Sequence, residues 1–216
     1  NKIDDLSGLS DLPKLETLKL SNNKIKDLSR LGELPELYRI ELGYNKIKDC
    51  GAISRFKGLE RVDLSNNKIK NLAPLSDCKN LKELNLFFNK IKDVKPLNAH
   101  VGLTVLDLGC NDVKKLKPLS GLVELVDLDL ACCAVKNIKP LAKLGKLSEL
   151  DLASNEFKDL SPLAELKQLS KLDISDNAIK NVNAILGLSN LETIIIDEEY
   201  QEFVKPLEEA GVLIKS

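Results

Sequence analysis

Tryptophan and methionine are absent from this sequence, histidine occurs once, and tyrosine and phenylalanine together supply only 4% of its 216 residues. No long apolar run occurs either; stretches such as Thr193-Ile194-Ile195-Ile196 are too short to span a membrane. Neither sign of charge dominates, with 32 basic against 33 acidic residues. A nucleic-acid-binding chain is usually basic overall, so that class is excluded. The near-zero net charge, with 43% apolar residues, also excludes a disordered chain. No GxSxG, phosphate-loop or HExxH motif is present. Among Cys50, Cys78, Cys110, Cys132 and Cys133 there is no CxxC, so no thiolate metal site is expected. An odd number of cysteines without secreted-type spacing argues for a reducing compartment rather than a disulfide framework. No export, transit or lipidation signal is visible. The sequence opens at Asn1-Lys2-Ile3 with only half a repeat, and we expect the natural protein to extend further upstream.

What the sequence has in abundance is a period. Asparagine occupies positions 1, 23, 45, 67, 89, 111, 155 and 177, a step of 22 residues with Cys133 standing where one copy is missing. From Leu12, eight units run without insertion to residue 187; a partial unit (1–11) precedes them and a divergent one begins at Leu188. Within the first unit Leu18 and Leu20 point to one face of a short strand, Thr17 and Lys19 to the other. One unit cannot bury Leu15, Leu18, Leu20, Ile25, Leu28 and Leu31 by itself, but stacked copies turn those positions into apolar ladders. The recurrent Asn is suited to bonding backbone groups along the stack that burial would otherwise leave unpaired. Pro74, Pro96, Pro118, Pro140 and Pro162 recur on the opposite side, where they predict turns or short 3₁₀ segments. Nine parallel strands are predicted, near 17–20, 39–42, 61–64, 83–86, 105–108, 127–130, 149–152, 171–174 and 193–196.

The pattern LxxLxLxxNxI stands at Leu15–Ile25, Leu59–Ile69 (with Val62 at its second leucine) and Leu81–Ile91, followed by D-L-x-x-L in the first unit. It resembles the leucine-rich repeats, in particular the 22-residue class typified by the regulatory subunit of protein phosphatase 1; the related I-x-D-L-x-P-L form is similar to bacterial internalins. The resemblance implies an α/β solenoid: a right-handed curved coil with a parallel sheet on its concave face and 3₁₀ or turn segments on its convex face. Stack ends need caps. Asp197 to Val204 reads as an N-capped amphipathic helix; Pro206 then starts a short turn that Gly211 ends, and Val212-Leu213-Ile214 closes the core.

Positions common to all units build the coil, so specificity belongs where units differ. The two outward positions per strand read Thr17/Lys19, Arg39/Glu41, Arg61/Asp63, Glu83/Asn85, Val105/Asp107, Asp127/Asp129, Glu149/Asp151 and Lys171/Asp173. Mixed to basic at first, the series holds seven acids against one lysine from Glu83 to Asp173. Strands about 4.8 Å apart make these carboxylates a dense negative field. The whole chain is polarised alike: residues 1–108 carry 19 basic and 15 acidic residues, and 109–216 carry 13 and 18. One reading is a bipolar dock for a partner with a basic patch; the other is simply a solvated strand face. Like charges opposed across strands favour the dock as much as the solvated face.

Just before each Asn the series runs Asn22, Tyr44, Asn66, Phe88, Cys110, Cys132, Ser154 and Asp176. With Phe87 beside Phe88, an apolar patch is expected to interrupt the polar rim, and its aromatics are hot-spot candidates. The alternative for Phe87 is that it folds inward and fills a gap. Lysines recur at 26, 48, 70, 92, 114, 136, 158 and 180. A neighbouring column made mostly of Asp and Asn is expected to neutralise this one, which leaves it a hydrated flank rather than a polyanion rail. Cys50 and Cys78 fall on leucine positions and read as inert core; Cys110 and Cys132, adjacent across units, read as two reduced thiols.

His100 sits on a convex connection away from the acids, so no histidine–carboxylate relay can form. Asp127, Asp129, Glu149 and Asp151 are the one constructible cation set, for Ca²⁺, but a flat sheet offers one ion few ligands. The residues thus point to a monomeric, non-catalytic protein-interaction module without metal, cofactor, nucleic-acid or membrane partner. Its contact residues would be Arg39, Tyr44, Arg61, Phe87, Phe88, Asp107, Cys110, Asp127, Asp129, Cys132, Glu149 and Asp151. Resemblance to the phosphatase-regulatory class implies a cytoplasmic or nuclear adaptor or scaffold that holds a phosphatase catalytic subunit; resemblance to internalins implies a microbial surface protein that binds a host receptor. The partner contacts of the phosphatase class lie outside the repeat consensus, so none maps onto a numbered residue here.

Overall fold

The computed structural model describes residues 1–10 and 12–216; Asp11, the last residue of the partial first unit, lies outside them. Ten strands form one parallel sheet in chain order: β1 (Thr17–Lys19), β2 (Arg39–Glu41), β3 (Arg61–Asp63), β4 (Glu83–Asn85), β5 (Val105–Asp107), β6 (Asp127–Asp129), β7 (Glu149–Asp151), β8 (Lys171–Asp173), β9 (Thr193–Ile195) and β10 (Leu213–Lys215). Thr17 faces Arg39, Arg39 faces Arg61, and the same register continues to Lys171 opposite Thr193, so the sequence period is also the pairing period. The result is a curved leucine-rich-repeat solenoid. Nine of the strands fall where periodicity places them, each one residue shorter than expected.

The central residue of each repeat strand points inward. Leu18, Ile40, Val62, Leu84, Leu106, Leu128, Leu150, Leu172 and Ile194 are all buried, and leucines from the convex turns pack against them. Proline at the first or second position opens the 3₁₀ segments Ala73–Asp77, Lys95–Ala99, Lys117–Leu119, Lys139–Lys143 and Ser161–Leu163. Its fixed φ suits that position, and its missing N–H would be unpaired there in any case.

The asparagine ladder stitches the units together. Asn45 Nδ2 donates to Leu42 O and, in the preceding unit, to Leu20 O, both at 2.9 Å, while its Oδ1 accepts from Ile25 N at 3.0 Å. Asn67 and Asn111 repeat this arrangement. Where the ladder carries Cys133 instead, its thiol donates to Leu108 O at 3.2 Å. His100 is 1% exposed and sets its two ring nitrogens against Leu97 O and Leu75 O, a packing role on the convex side.

The C-terminal cap differs from the sequence expectation in two ways. The helix comes later: a 3₁₀ turn at Glu198–Tyr200 leads into α1 (Gln201–Glu209), and Pro206 lies inside it rather than starting a turn. Pro206 is on the solvent side, where water can satisfy the carbonyl it leaves unbonded, while Val204 and Leu207 face the core. Asp197 adopts an extended conformation but makes no cap hydrogen bond; its Oδ1 accepts from Asp176 N at 2.8 Å instead. The chain then adds a tenth strand, β10, beside β9. At the other end Ile3 continues the ladder without a strand, donating its N–H to Asn23 Oδ1 and accepting from Lys24 N. Among the described residues no helix is long and apolar enough to cross a membrane.

Candidate protein-interaction face

The outward residues of β2 to β8 share the concave face, and their pairing divides it. At the N-terminal side cations and anions neutralise each other. Arg39 holds Glu41 through Nε and Nη2, each 2.7 Å from the same oxygen, and Lys19 reaches Glu41 at 3.3 Å. Arg61 Nε lies 3.0 Å from Glu83 across the strand pair. Farther along, Lys171 engages Glu149 at 3.3 Å. Three of the expected contact residues, Arg39, Arg61 and Glu149, therefore already have partners of opposite charge.

Asp107, Asp127, Asp129 and Asp151 form no salt bridge among the described residues. The inner column has a local task that sequence reasoning missed. Asp63, Asp107, Asp129, Asp151 and Asp173 each accept, through Oδ1, the N–H two residues on, at 2.8–3.0 Å. Asn85 does the same for Phe87 N. These side chains turn the chain out of each strand, as short Asp and Asn side chains do. The repeated Asp or Asn at one strand position was the signal that could have revealed it.

One turn bond per carboxylate does not offset the crowding. Burial, and then Asp129, push Asp107 up to about 7. Burial pushes Asp151 up to about 6 against the Ala153 N–H that favours its anion. Asp129 is raised by burial and Asp127 by burial and Glu149. A cation placed here would meet carboxylates that are short of solvent and of counter-charge. Among the described residues no group of three or more His, Cys, Asp and Glu side chains is arranged to hold a metal ion.

Beside the acids lies the loop column, and the backbone there is left-handed throughout: φ is 61° at Asn22, 56° at Tyr44, 52° at Asn66, 51° at Phe88, 56° at Cys110, 55° at Cys132, 52° at Ser154 and 52° at Asp176. Asn and Asp tolerate that region; an aromatic side chain pays for it with roughly 1–2 kcal/mol of steric strain. Phe88 and Tyr44 nonetheless occupy it, 58% and 59% exposed. Phe87 is half-buried and tilts against Phe88 with ring centroids 6.1 Å apart. Cys110 and Cys132 are both free thiols, half-buried and exposed respectively. Burial and then the neighbouring Cys132 push Cys110 up to about 11.

A family profile described as Leucine Rich repeats (2 copies) matches residues 1–33, 13–55 and 57–99. Internalin C2 of Listeria monocytogenes is 32% identical to the chain over 84% of it and 80% of that protein, with a TM-score of 0.82. The chain belongs to the leucine-rich-repeat family. Internalin F of Listeria monocytogenes aligns with 100% of the chain and 77% of its own length, at 26% identity and a TM-score of 0.77. At 22% identity the plant peptide hormone receptor RGFR1, solved in complex with RGF2, shares the fold alone, with a TM-score of 0.74 over 87% of this chain and 33% of that one. Curated protein sequences give no match. The repeats resemble those of internalins, and the fold and its neighbours support a protein–protein interaction module.

Proposed function

We propose that the chain is a non-catalytic module that binds a partner protein on its concave face, with the acids of β5 to β7 meeting a basic patch and Phe88 and Tyr44 serving as apolar anchors at the rim. The observation that carries this reading is the placement of two exposed aromatics, in a chain with few, at backbone positions that disfavour them. Strained residues persist where the surrounding fold imposes them and a use retains them. Beside them stand Asp107, Asp127, Asp129 and Asp151, none neutralised by an ion pair among the described residues and all with raised pKa values. Tyr44 lies near the neutralised end of the strip and Phe88 near the acidic end, so a partner spanning both would read apolar and charged features in a fixed order.

Two settings follow from the repeat pattern: an intracellular adaptor that holds a phosphatase, and a microbial surface protein that binds a receptor. Similarity to two Listeria internalins supports the second. The test is capture of surface-exposed host proteins on the immobilised chain, beside parallel columns carrying Phe88→Ala and Asp129→Asn. A partner retained by the native chain and lost from both variants supports the reading. Equal retention on all three columns would exclude the concave face.

A further inference from the structure

The lysine column does not have the same surroundings in every unit. Beside Lys26, Lys48, Lys92 and Lys158 the following position is Asp, and beside Lys70, Lys136 and Lys180 it is Asn; beside Lys114 it is Lys115. Two positions further on, a third column supplies Lys95, Lys117 and Lys139 in the fourth, fifth and sixth units, where the other units have Ser, Gly, Ala or Asn. The Asp and Asn column that follows these lysines is therefore interrupted in one unit, by Lys115. There Lys92, Lys95, Lys114, Lys115 and Lys117 line a groove of about 1030 Å³ between the fourth and fifth units.

Two carboxylates share the groove. Asp112 lies 3.0 Å from Lys92 and 3.1 Å from Lys114, so it holds both ammonium groups in place while cancelling one of them. Asp93 Oδ1 accepts from Lys95 N, the turn bond that opens the convex 3₁₀ segment. No salt bridge reaches Lys95, Lys115 or Lys117 among the described residues, and all three are exposed. The groove thus presents three free cations beside a fixed Lys–Asp–Lys bridge, on a flank distinct from the acidic strip carried by the strands of the same units.

We propose that this groove is a second docking surface, for an extended acidic polypeptide segment. Several features favour a peptide over other anions. The groove holds no arginine, whose planar fork suits phosphates, and no aromatic on which a base could stack. Asp93 and Asp112 would repel a dense polyphosphate but leave room for carboxylates spaced along a peptide. Asn98 and Ser120 on the walls offer neutral donors and acceptors to a peptide backbone. The recess is concave, whereas a bilayer surface is planar. Lysine charges of this kind set binding rate and partner sign through long-range attraction, so the interaction is salt-sensitive.

The probe is a fluorescein-labelled twelve-residue glutamate peptide, titrated against the whole chain by fluorescence anisotropy at low and at near-physiological salt. Lys115→Glu with Lys117→Glu should weaken binding roughly tenfold or more, since like charges then face the peptide. Lys26→Glu with Lys48→Glu, on the same flank near the N-terminal end, should change it less than twofold. Phe88→Ala, on the concave rim, should leave it unchanged, which separates this proposal from the concave-face reading. Circular dichroism checks folding, and Lys→Gln versions at 115 and 117 replace any variant that fails to fold. Absence of binding by the native chain, or equal loss in both lysine pairs, would overturn the proposal. Tighter binding of single-stranded DNA or of phosphatidylserine vesicles than of the peptide would do so too.

Discussion

Gly109 is closely approached by the side chains of Phe87 and Asp129. A Cβ built on it would come 3.1 Å from Phe87 Cδ2 and 2.8 Å from Asp129 Oδ1. The absent side chain therefore sets the positions of an aromatic ring and of a carboxylate that belong to neighbouring units. Gly109→Ala should push both outward and cost about 1–3 kcal/mol of stability, as overpacking usually does. Chemical denaturation would measure it; an unchanged midpoint would show that Phe87 and Asp129 move freely.

Phe88 should separate binding from stability. Phe88→Ala is expected to lower partner affinity by about 2 kcal/mol while leaving the denaturation midpoint nearly unchanged, because the ring buries little of its surface in the free chain. Phe88→Asn should lower affinity equally and raise stability by about 1 kcal/mol, since asparagine tolerates the left-handed backbone found there. Titration calorimetry beside thermal unfolding distinguishes the two effects. A destabilised Asn variant would refute the strain argument.

The asparagine ladder should be strongest inside the stack. Asn67→Ala removes donors to Leu42 O and Leu64 O and an acceptor for Ile47 N, all buried, and should cost about 3 kcal/mol. Asn177 keeps the corresponding donor bonds, but its buried Oδ1 has no hydrogen-bond partner among the described residues. Asn177→Ala should therefore cost roughly 1 kcal/mol less than Asn67→Ala. Urea midpoints of the two variants give the comparison, and equal losses would remove the acceptor from the account.

The acidic strip gives opposite pH dependences for folding and for docking. Asp107 titrates near 7 in the fold, well above its unfolded value, so between about pH 4 and 7 the native state binds more protons than the unfolded state. Its contribution to stability therefore decreases as pH rises through that window, and Asp151, near 6, acts in the same direction. A basic partner prefers the carboxylates ionised, so affinity should increase from pH 6 to pH 8, with proton release on binding. Calorimetry in buffers of different ionisation enthalpy reads that release. Affinity independent of pH would place the partner elsewhere.

Salt provides a further check. Because charges open to solvent are screened within about 8 Å at physiological ionic strength, the approach of a basic partner to the half-buried strip should weaken measurably between 0.05 and 0.5 M salt, and the Phe88 anchor should account for most of the affinity that remains.

Much of the candidate face was legible beforehand because a strand has period two and the unit has period 22. Asp107, Asp127, Asp129 and Asp151 could be placed side by side from their numbers alone. Two things escaped. Arg61 and Glu83 are both outward residues in matching register, but only side-chain placement shows that they bond and so leave the N-terminal half of the face neutral. The positive φ at Phe88 was foreshadowed by Asn22, Asn66 and Asp176 in the same column, residue types that favour that region, yet the aromatics among them hid it.

The sequence by itself determined the solenoid. Twenty-two-residue spacing of leucines, asparagines and prolines leaves each copy unable to bury its apolar side alone, so the copies stack in order and in register. Tertiary structure decided what repetition cannot specify. After α1 the chain adds β10 beside β9, a strand that lies outside the 22-residue period and that repetition therefore did not announce. Burial and mutual repulsion raise the strip acids, and both depend on how closely neighbouring units bring them. Lys115 and Lys117 gain their meaning only where the turn sets them into one groove with Lys92 and Lys114, since a pattern along the chain gives position in the unit but not the distance between charges across units.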